Sequence, residues 1–242
     1  MSIKDKLRNK ILGYRATSDG YIKKLRELGA SIGEDVVLYR PYNTTIDVQN
    51  PHLITIGNHV MITGPATILT HDYSWSVLKA KYGYITGNQK PVKIGNNVFI
   101  GWGATILSGT TVGDNTVIGA NSVVSGYLEP DSVYAGNPAR RIMSIDEYYK
   151  KRLSRQLDEA YVFMLEFKKR NGRYPERKEM NEYFFLFTDS AENLPYEYKK
   201  QMELMGTYEK SVDLLNNNNP EFKSYDEFIK YCEKREKSES VN

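Results

Sequence analysis

Three histidines and one cysteine are the residues of this chain best suited to acid–base or nucleophilic chemistry: His52, His59, His71 and Cys232. His71 lies in the segment Ile68-Leu-Thr-His-Asp72, at the head of a stretch that departs from the pattern around it. An imidazole ordinarily titrates near pH 6.5, so it can take a proton from a hydroxyl or amine and return it near neutrality. Such a base needs an orienting partner, and the sequence offers Asp72, Asp47 and Asn43. Asp72 serves equally well as a cap for the turn that follows it. A histidine at a chain corner can equally be structural. His52 and His59 have no comparable context and read as surface or corner residues. Cys232 reads as a small buried hydrophobe. A single cysteine excludes an internal disulfide framework and a cysteine-based zinc site, as expected in a reducing compartment.

The residues after His71 supply recognition surfaces. Tyr73, Trp75, Tyr82 and Tyr84 offer flat apolar faces of the kind on which sugar rings stack. Lys79, Lys81 and Lys90 could meet an acidic sugar or a nucleotide phosphate. The same aromatics could instead pack against a neighbouring subunit.

Such residues need a rigid frame. The chain has 242 residues, 40% of them hydrophobic, enough for a sizeable core and a satellite. A formal charge of +3 implies neither a nucleic-acid groove nor a polybasic membrane anchor. No run approaches the ~20 apolar residues of a membrane span, and charges interrupt what would be a signal peptide. The expectation is a cytoplasmic protein without integral membrane association.

Charge and glycine segregate along the chain. Residues 1–28 carry 11 charged side chains, residues 29–145 carry 14 and residues 146–242 carry 38, whereas 14 of the 18 glycines fall in 29–145. Many short strands with tight turns are expected in the middle, and amphipathic helices on both flanks. In the first flank Ile3, Leu7 and Ile11 share a helical face, and a second short helix can run from Tyr21 to Leu28. In the last flank Ser144 and Glu147 form a capping box that opens a helix to about residue 170. Further helices are predicted at about 176–187, 194–205 and 224–237.

The middle region repeats. From residue 94 it reads IGNNVF, IGWGAT, ILSGTT, VGDNTV, IGANSV, VSGYLE, with an aliphatic residue at 94, 100, 106, 112, 118 and 124. Four positions later stand Val98, Ala104, Thr110, Thr116, Ser122 and Leu128, mostly small or β-branched. The frame recurs at Ile56, Ile62 and Ile68, and more weakly at Ile32 and Leu38. A period of six fits neither a helix nor a two-sided sheet. One hexad cannot bury its own aliphatic side chain, so successive turns must stack into internal columns. The result is a parallel β-helix, interrupted once between Ile68 and Ile94.

The stretch from Pro91 through the phrase AGNPARRI ending at Ile142, together with ILTHD, resembles the hexapeptide-repeat acyltransferases, in particular the galactoside, maltose and capsular-polysaccharide O-acetyltransferase branch. The resemblance covers about residues 29–145. It implies a left-handed β-helix with three hexads per turn, a homotrimer with sites between subunits, and acetyl-CoA as co-substrate with no metal. By the same resemblance His71 is the general base that activates an acceptor hydroxyl, and Asn43 is the nearest match to an asparagine of the galactoside branch; Asn43 and Asp72 are the expected partners. The pantetheine arm would follow Gly101-Trp102-Gly103, Ala120 and Ser125, with Arg140 and Arg141 near the phosphates. Gly126 and Met143 stand where galactoside-type members carry basic residues. Tyr73, Trp75 and Tyr82 become the expected saccharide contacts.

The expected fold is therefore mainly β: a left-handed parallel β-helix of hexapeptide repeats between α-helical flanks. The expected domains are residues 1–28 (helical), 29–145 (β-helix with inserted loop 72–91) and 146–242 (helical extension). The expected function is acetyl transfer to a sugar hydroxyl in glycan assembly. Transfer to an amine of a nucleotide-linked sugar or to an antibiotic is the alternative. More remote alternatives are a non-catalytic scaffold and a γ-carbonic-anhydrase-like metal enzyme. The latter needs two histidines five residues apart, whereas those here are separated by seven and twelve.

Overall fold

The computed structural model describes residues 10–239. Ile3 and Leu7 of the predicted N-terminal helical face lie outside the described residues, and Ile11 is exposed. The chain forms two compact units that divide between Tyr148 and Tyr149.

The first unit is built from three sheets of short strands visited in rotation. Sheet A contains β1 (Ser31–Ile32), β4 (Ile54–Ile56), β7 (Val92–Ile94), β10 (Thr111–Val112) and β13 (Tyr127–Leu128). Sheet B contains β2 (Val37–Tyr39), β5 (Met61–Thr63), β8 (Phe99–Ile100), β11 (Val117–Ile118) and β14 (Ser132–Ala135), and ends in the antiparallel β15 (Arg140–Ser144). Sheet C contains β3 (Thr45–Ile46), β6 (Thr67–Ile68), β9 (Thr105–Ile106) and β12 (Val123–Val124). All neighbours except β14 and β15 are parallel, so each turn of chain contributes one strand to every sheet. This is a parallel β-helix with three strands per turn.

Register follows the aliphatic frame. Ile32, Ile56, Ile94, Val112 and Leu128 pair in sequence across sheet A. Leu38, Ile62, Ile100 and Ile118 do so across sheet B, and Ile46, Ile68, Ile106 and Val124 across sheet C. All are buried. Burying a side chain of this size stabilises by about 1.5–3 kcal/mol, so the three columns supply the cohesion of the unit. The second set of residues lies inside the corners, where Val98, Ala104, Thr110, Thr116 and Ser122 have no exposed surface. Their hydroxyls are satisfied locally: Thr110 donates to Leu107 O at 2.6 Å, Thr116 to Gly113 O at 2.8 Å and Ser122 to Gly119 O at 2.8 Å.

The corner from sheet A to sheet B is held by an amide ladder. The backbone N–H of Glu34 donates to Asn58 Oδ1, that of Asn58 to Asn96 Oδ1 and that of Asn96 to Asp114 Oδ1, at 2.7–2.8 Å. Asp35, His59, Asn97 and Asn115 sit at φ of 54–55°, a left-handed conformation that Asn and Asp tolerate. His59 thus occupies a corner, with Nδ1 3.2 Å from Asp35 Oδ2. The helix α1 (Ser18–Glu27) closes the open end of the coil. Ser18 Oγ accepts from Leu38 N–H at 2.9 Å, Tyr21 OH accepts from Ile46 N–H at 3.1 Å, and Arg26 Nε donates to Ile32 O at 3.0 Å. Strand edges that would otherwise template pairing are thereby covered.

The inserted segment carries α2 (Trp75–Tyr82). Helix α3 (Ile145–Asn171) begins at the Ser144–Glu147 capping box, with Ser144 N–H to Glu147 Oε2 at 2.7 Å and Glu147 N–H to Ser144 Oγ at 3.2 Å. The second unit adds α4 (Tyr196–Met202), α5 (Tyr208–Asn216) and α6 (Tyr225–Glu239). The predicted helix at 176–187 is instead two short 3-10 turns, Arg177–Glu179 and Phe184–Leu186, and α5 is an additional helix. Phe184, Phe187, Tyr198, Phe222 and Phe228 form its core with Cys232, whose thiol burial pushes up to about 12. Because each β-helix strand is only two to four residues long where it pairs in parallel, helix exceeds strand among the described residues; the description "mainly β" applies to the first unit alone.

Stacking also explains one glycine. A Cβ on Gly57 would lie 2.8 Å from the carbonyl carbon and oxygen of Gly95 in the next turn and 2.6 Å from Asn96 Oδ1, whereas one on Gly87 would meet nothing within 4 Å. Gly57→Ala is expected to cost about 1–3 kcal/mol through overpacking, and Gly87→Ala less than about 0.5 kcal/mol. Thermal unfolding of the two variants checks the contrast; equal midpoints would contradict it.

Candidate active site

The corner leading from sheet C to sheet A brings together residues distant in sequence. Ile46 pairs with Ile68, and the next residue, Asp47, donates its N–H to Ile68 O at 3.0 Å. This lays the Asp47 side chain against Thr70 and His71. The insertion leaves and returns at the same place: His71 forms an antiparallel bridge with Gln89, and Lys90 N–H donates to Thr70 O at 2.9 Å. The rigid frame therefore fixes the backbone of His71 on one side, and the returning loop fixes it on the other.

Asp47 is the partner of His71. Its Oδ2 lies 2.6 Å from His71 Nδ1 and also accepts from Thr70 N–H at 3.1 Å and from the Thr70 hydroxyl. Oδ1 accepts from Gln49 N–H at 2.8 Å. Burial pushes the Asp47 carboxyl up, but the hydrogen bonds from Thr70, Gln49 and His71 outweigh it and hold the group below the ordinary carboxylate range. An ionised carboxylate can only accept, so Nδ1 is the donor in this contact, and the neutral tautomer that fits it has its lone pair at Nε2. His71 is partly exposed, with 15% of its side-chain surface open against 4% for Asp47. In its neutral form, a partly exposed imidazole backed by a buried carboxylate could accept a proton.

The other two candidate partners of His71 are placed elsewhere. Asp72 accepts from Ser74 N–H at 2.9 Å, from Ser74 Oγ at 2.6 Å and from Asn88 Nδ2. It ties the start of the inserted segment to its end, and these bonds, led by Ser74, lower its carboxyl from the usual range. Asn43 ends a 3-10 turn (Pro41–Asn43), is exposed, and donates its N–H to Arg40 O at 2.9 Å. The group at His71 Nδ1 is Asp47, not Asn43 or Asp72.

Gly101, Trp102, Gly103 and Ala120 lie at the corner between sheets B and C, whereas Ser125 lies at the same corner as His71. Trp102 is 44% exposed, and the Arg40 guanidinium sits 5.0 Å from its ring centroid. Arg140 and Arg141 open β15; Arg140 donates to Ala139 O at 3.1 Å and Arg141 to Ser132 Oγ at 3.0 Å. Tyr73 stands edge-on to the His71 ring with centroids 5.3 Å apart, and Trp75 follows at 5.8 Å. Tyr82 is the last residue of α2 and is exposed. Thr70 and Gln49 complete the arrangement without any motif of their own. Their signal would have been Ile46, which marks Asp47 as the next residue along the coil. Among the described residues no group of three or more His, Cys, Asp or Glu could hold a metal ion, and no helix is long and apolar enough to cross a membrane.

A family profile described as bacterial transferase hexapeptide (six repeats) matches residues 91–126. Protein CapG of Staphylococcus aureus is 41% identical over 128 residues, covering 53% of this chain and 73% of that one. Galactoside O-acetyltransferase of Escherichia coli K12 is 34% identical over 119 residues, covering 48% of this chain and 58% of that one. A solved maltose O-acetyltransferase from Clostridium difficile 630 is 28% identical, covers 58% of this chain and 84% of that one, and superposes with a TM-score of 0.39. The six-residue frame, its three-strand turns and an alignment spanning most of CapG agree on one conclusion: this chain belongs to the hexapeptide-repeat acyltransferases.

Proposed function

We propose that the protein is an acetyl-CoA-dependent O-acetyltransferase that acts on a sugar hydroxyl in glycan assembly. The observation that carries this is the 2.6 Å contact between His71 Nδ1 and the buried Asp47, which leaves Nε2 free to act as a base. His71 removes the acceptor hydroxyl proton at Nε2 as that oxygen bonds to the acetyl carbon, and returns the proton to the sulfur as the carbon–sulfur bond breaks. Acetyl-CoA supplies the acetyl group as co-substrate. Asp47 stabilises the imidazolium formed between the two proton transfers. Similarity to galactoside O-acetyltransferase supports the O-acetyl assignment and a saccharide acceptor. Direct transfer fits a chain whose only thiol, Cys232, is buried in the second unit.

Family likeness further supports a left-handed coil, a cytoplasmic location and a homotrimer. Within one protomer the candidate cofactor residues divide between two corners, Gly101 to Gly103 and Ala120 at one and Ser125 at the other, with Arg140 and Arg141 on β15. A neighbouring copy would unite such half-sites. It would also cover Val77, Tyr82, Tyr84 and Ile85 of the inserted segment, all more than half exposed. Tyr73 and Trp75 border the base, and Tyr82 extends the aromatic surface outward.

Four outcomes test this function. Purified protein should release CoA from acetyl-CoA when offered a panel of saccharides, and His71→Ala should lower turnover by about 10²–10⁴ while acetyl-CoA still binds. No release by the parent would overturn the function, and near-normal turnover in the variant would overturn the base. Light scattering should give three times the 27.8 kDa chain mass, and a monomer would remove the shared site. Asp47→Asn should lower turnover at least about tenfold, because an amide presents a donor as readily as an acceptor to Nδ1. The lowered carboxyl also sets a stability window. Its contribution is complete above the unfolded-state value of about 3.9 and is lost as pH falls through the lower folded-state value. The gap in unfolding midpoint between parent and Asp47→Asn should therefore be widest above about pH 5 and shrink in stronger acid.

A further inference from the structure

We propose that Tyr73 and Gln49 form a strap that positions the His71 imidazole. Four contacts close a ring of four residues. Asp47 Oδ2 meets His71 Nδ1 at 2.6 Å, the His71 ring meets the Tyr73 ring, the Tyr73 hydroxyl donates to Gln49 Oε1 at 3.1 Å, and Gln49 N–H donates to Asp47 Oδ1 at 2.8 Å. One hydrogen bond at Nδ1 fixes the tautomer but leaves the ring able to tilt about that bond. An aromatic neighbour at 5.3 Å and 89° closes off that tilt, since an edge-to-face pair has a defined geometry. Tyr73 can hold that position only if it is itself held. It belongs to the inserted segment and is 56% exposed, so core packing does not fix it. Its hydroxyl is anchored instead to the first turn of the coil through Gln49, two residues after Asp47. The same short corner therefore holds the anion behind the ring and the tether of the aromatic beside it.

This role differs from that of a platform for a sugar. A platform contributes to acceptor binding, whereas a strap contributes to the fraction of time Nε2 points at the acceptor oxygen. The kinetic arm of the test rests on the acetyltransferase function proposed above; the spectroscopic arm does not.

The variants Tyr73→Phe, Gln49→Leu and their double are made in the full chain. Each single variant should lower kcat about three- to tenfold, the loss of one hydrogen bond, with KM for both substrates unchanged. The double should be no slower than the slower single, because both break the same tether. Nitrogen-resolved NMR of the His71 ring should show the Nδ1 proton, sheltered by Asp47 in the parent, exchanging with water several-fold faster in both singles. Parent-like kcat with parent-like exchange overturns the strap, as does an effect confined to acceptor KM. If the parent transfers no acetyl group at all, the exchange rates still decide: faster exchange in both variants upholds the strap, and unchanged exchange overturns it.

Discussion

The constraint on which the first unit depends is register between successive turns of the coil. Each two- or three-residue strand is too short to persist alone, and its inward aliphatic side chain finds apolar neighbours only in the turns above and below. Ile94 and Val112 are eighteen residues apart, as are Ile100 and Ile118, and Ile106 and Val124, so three columns grow together. A one-residue slip would turn every column residue outward. The corner features follow from that requirement. Gly57 permits the close approach of neighbouring turns, and the Asn58, Asn96 and Asp114 side-chain oxygens accept from backbone N–H groups of the preceding turn.

Register also creates the chemistry. Asp47 and His71 are separated by 24 residues and no local motif joins them, but the pairing of Ile46 with Ile68 places the two one turn apart on the same corner. The charge is tolerable there because the frame supplies its own donors. Thr70 gives two hydrogen bonds and Gln49 one, so the buried carboxylate stays ionised despite its low exposure. A catalytic group on a loop alone would need such support from the loop. Here the frame holds Asp47 and Thr70, and the loop contributes the aromatic side of the pocket.

The frame was legible from Ile94 onward because six hexads follow without slippage, each opening on an aliphatic residue. The first turn was harder to read. Leu38 and Ile46 are eight residues apart, and the extra length, which includes the left-handed Arg40 and the 3-10 turn at Pro41–Asn43, hides the column to which Ile46 belongs. Without that column Asp47 is passed over in favour of Asn43 and Asp72. Hydrogen bonding then separates them, since Asp72 is occupied in joining the ends of the inserted segment. The capping box at Ser144 and the helix predicted from residue 224 matched helix starts, since a cap is a local signal: Ser144 Oγ accepts from Glu147 N–H and Ser224 Oγ from Glu227 N–H. The segment 176–187 folded as separate short turns because Phe184 and Phe187 are drawn into an aromatic core that sequence periodicity does not encode.

A solenoid of this kind accepts an insertion at a corner without disturbing its columns. Ile56 and Ile94 pair directly although thirty-eight residues separate them, because the added chain leaves and re-enters through the His71–Gln89 bridge. Loop closure entropy grows only slowly with length, and the Asp72 bonds to Ser74 and Asn88 narrow it further. The insertion can therefore change in length and composition while the Asp47–His71 pair stays fixed at the corner of the coil. In the proposed function acceptor recognition and proton transfer would be carried by different parts of the chain, joined at Tyr73, where the inserted segment touches both His71 and the corner that holds Asp47.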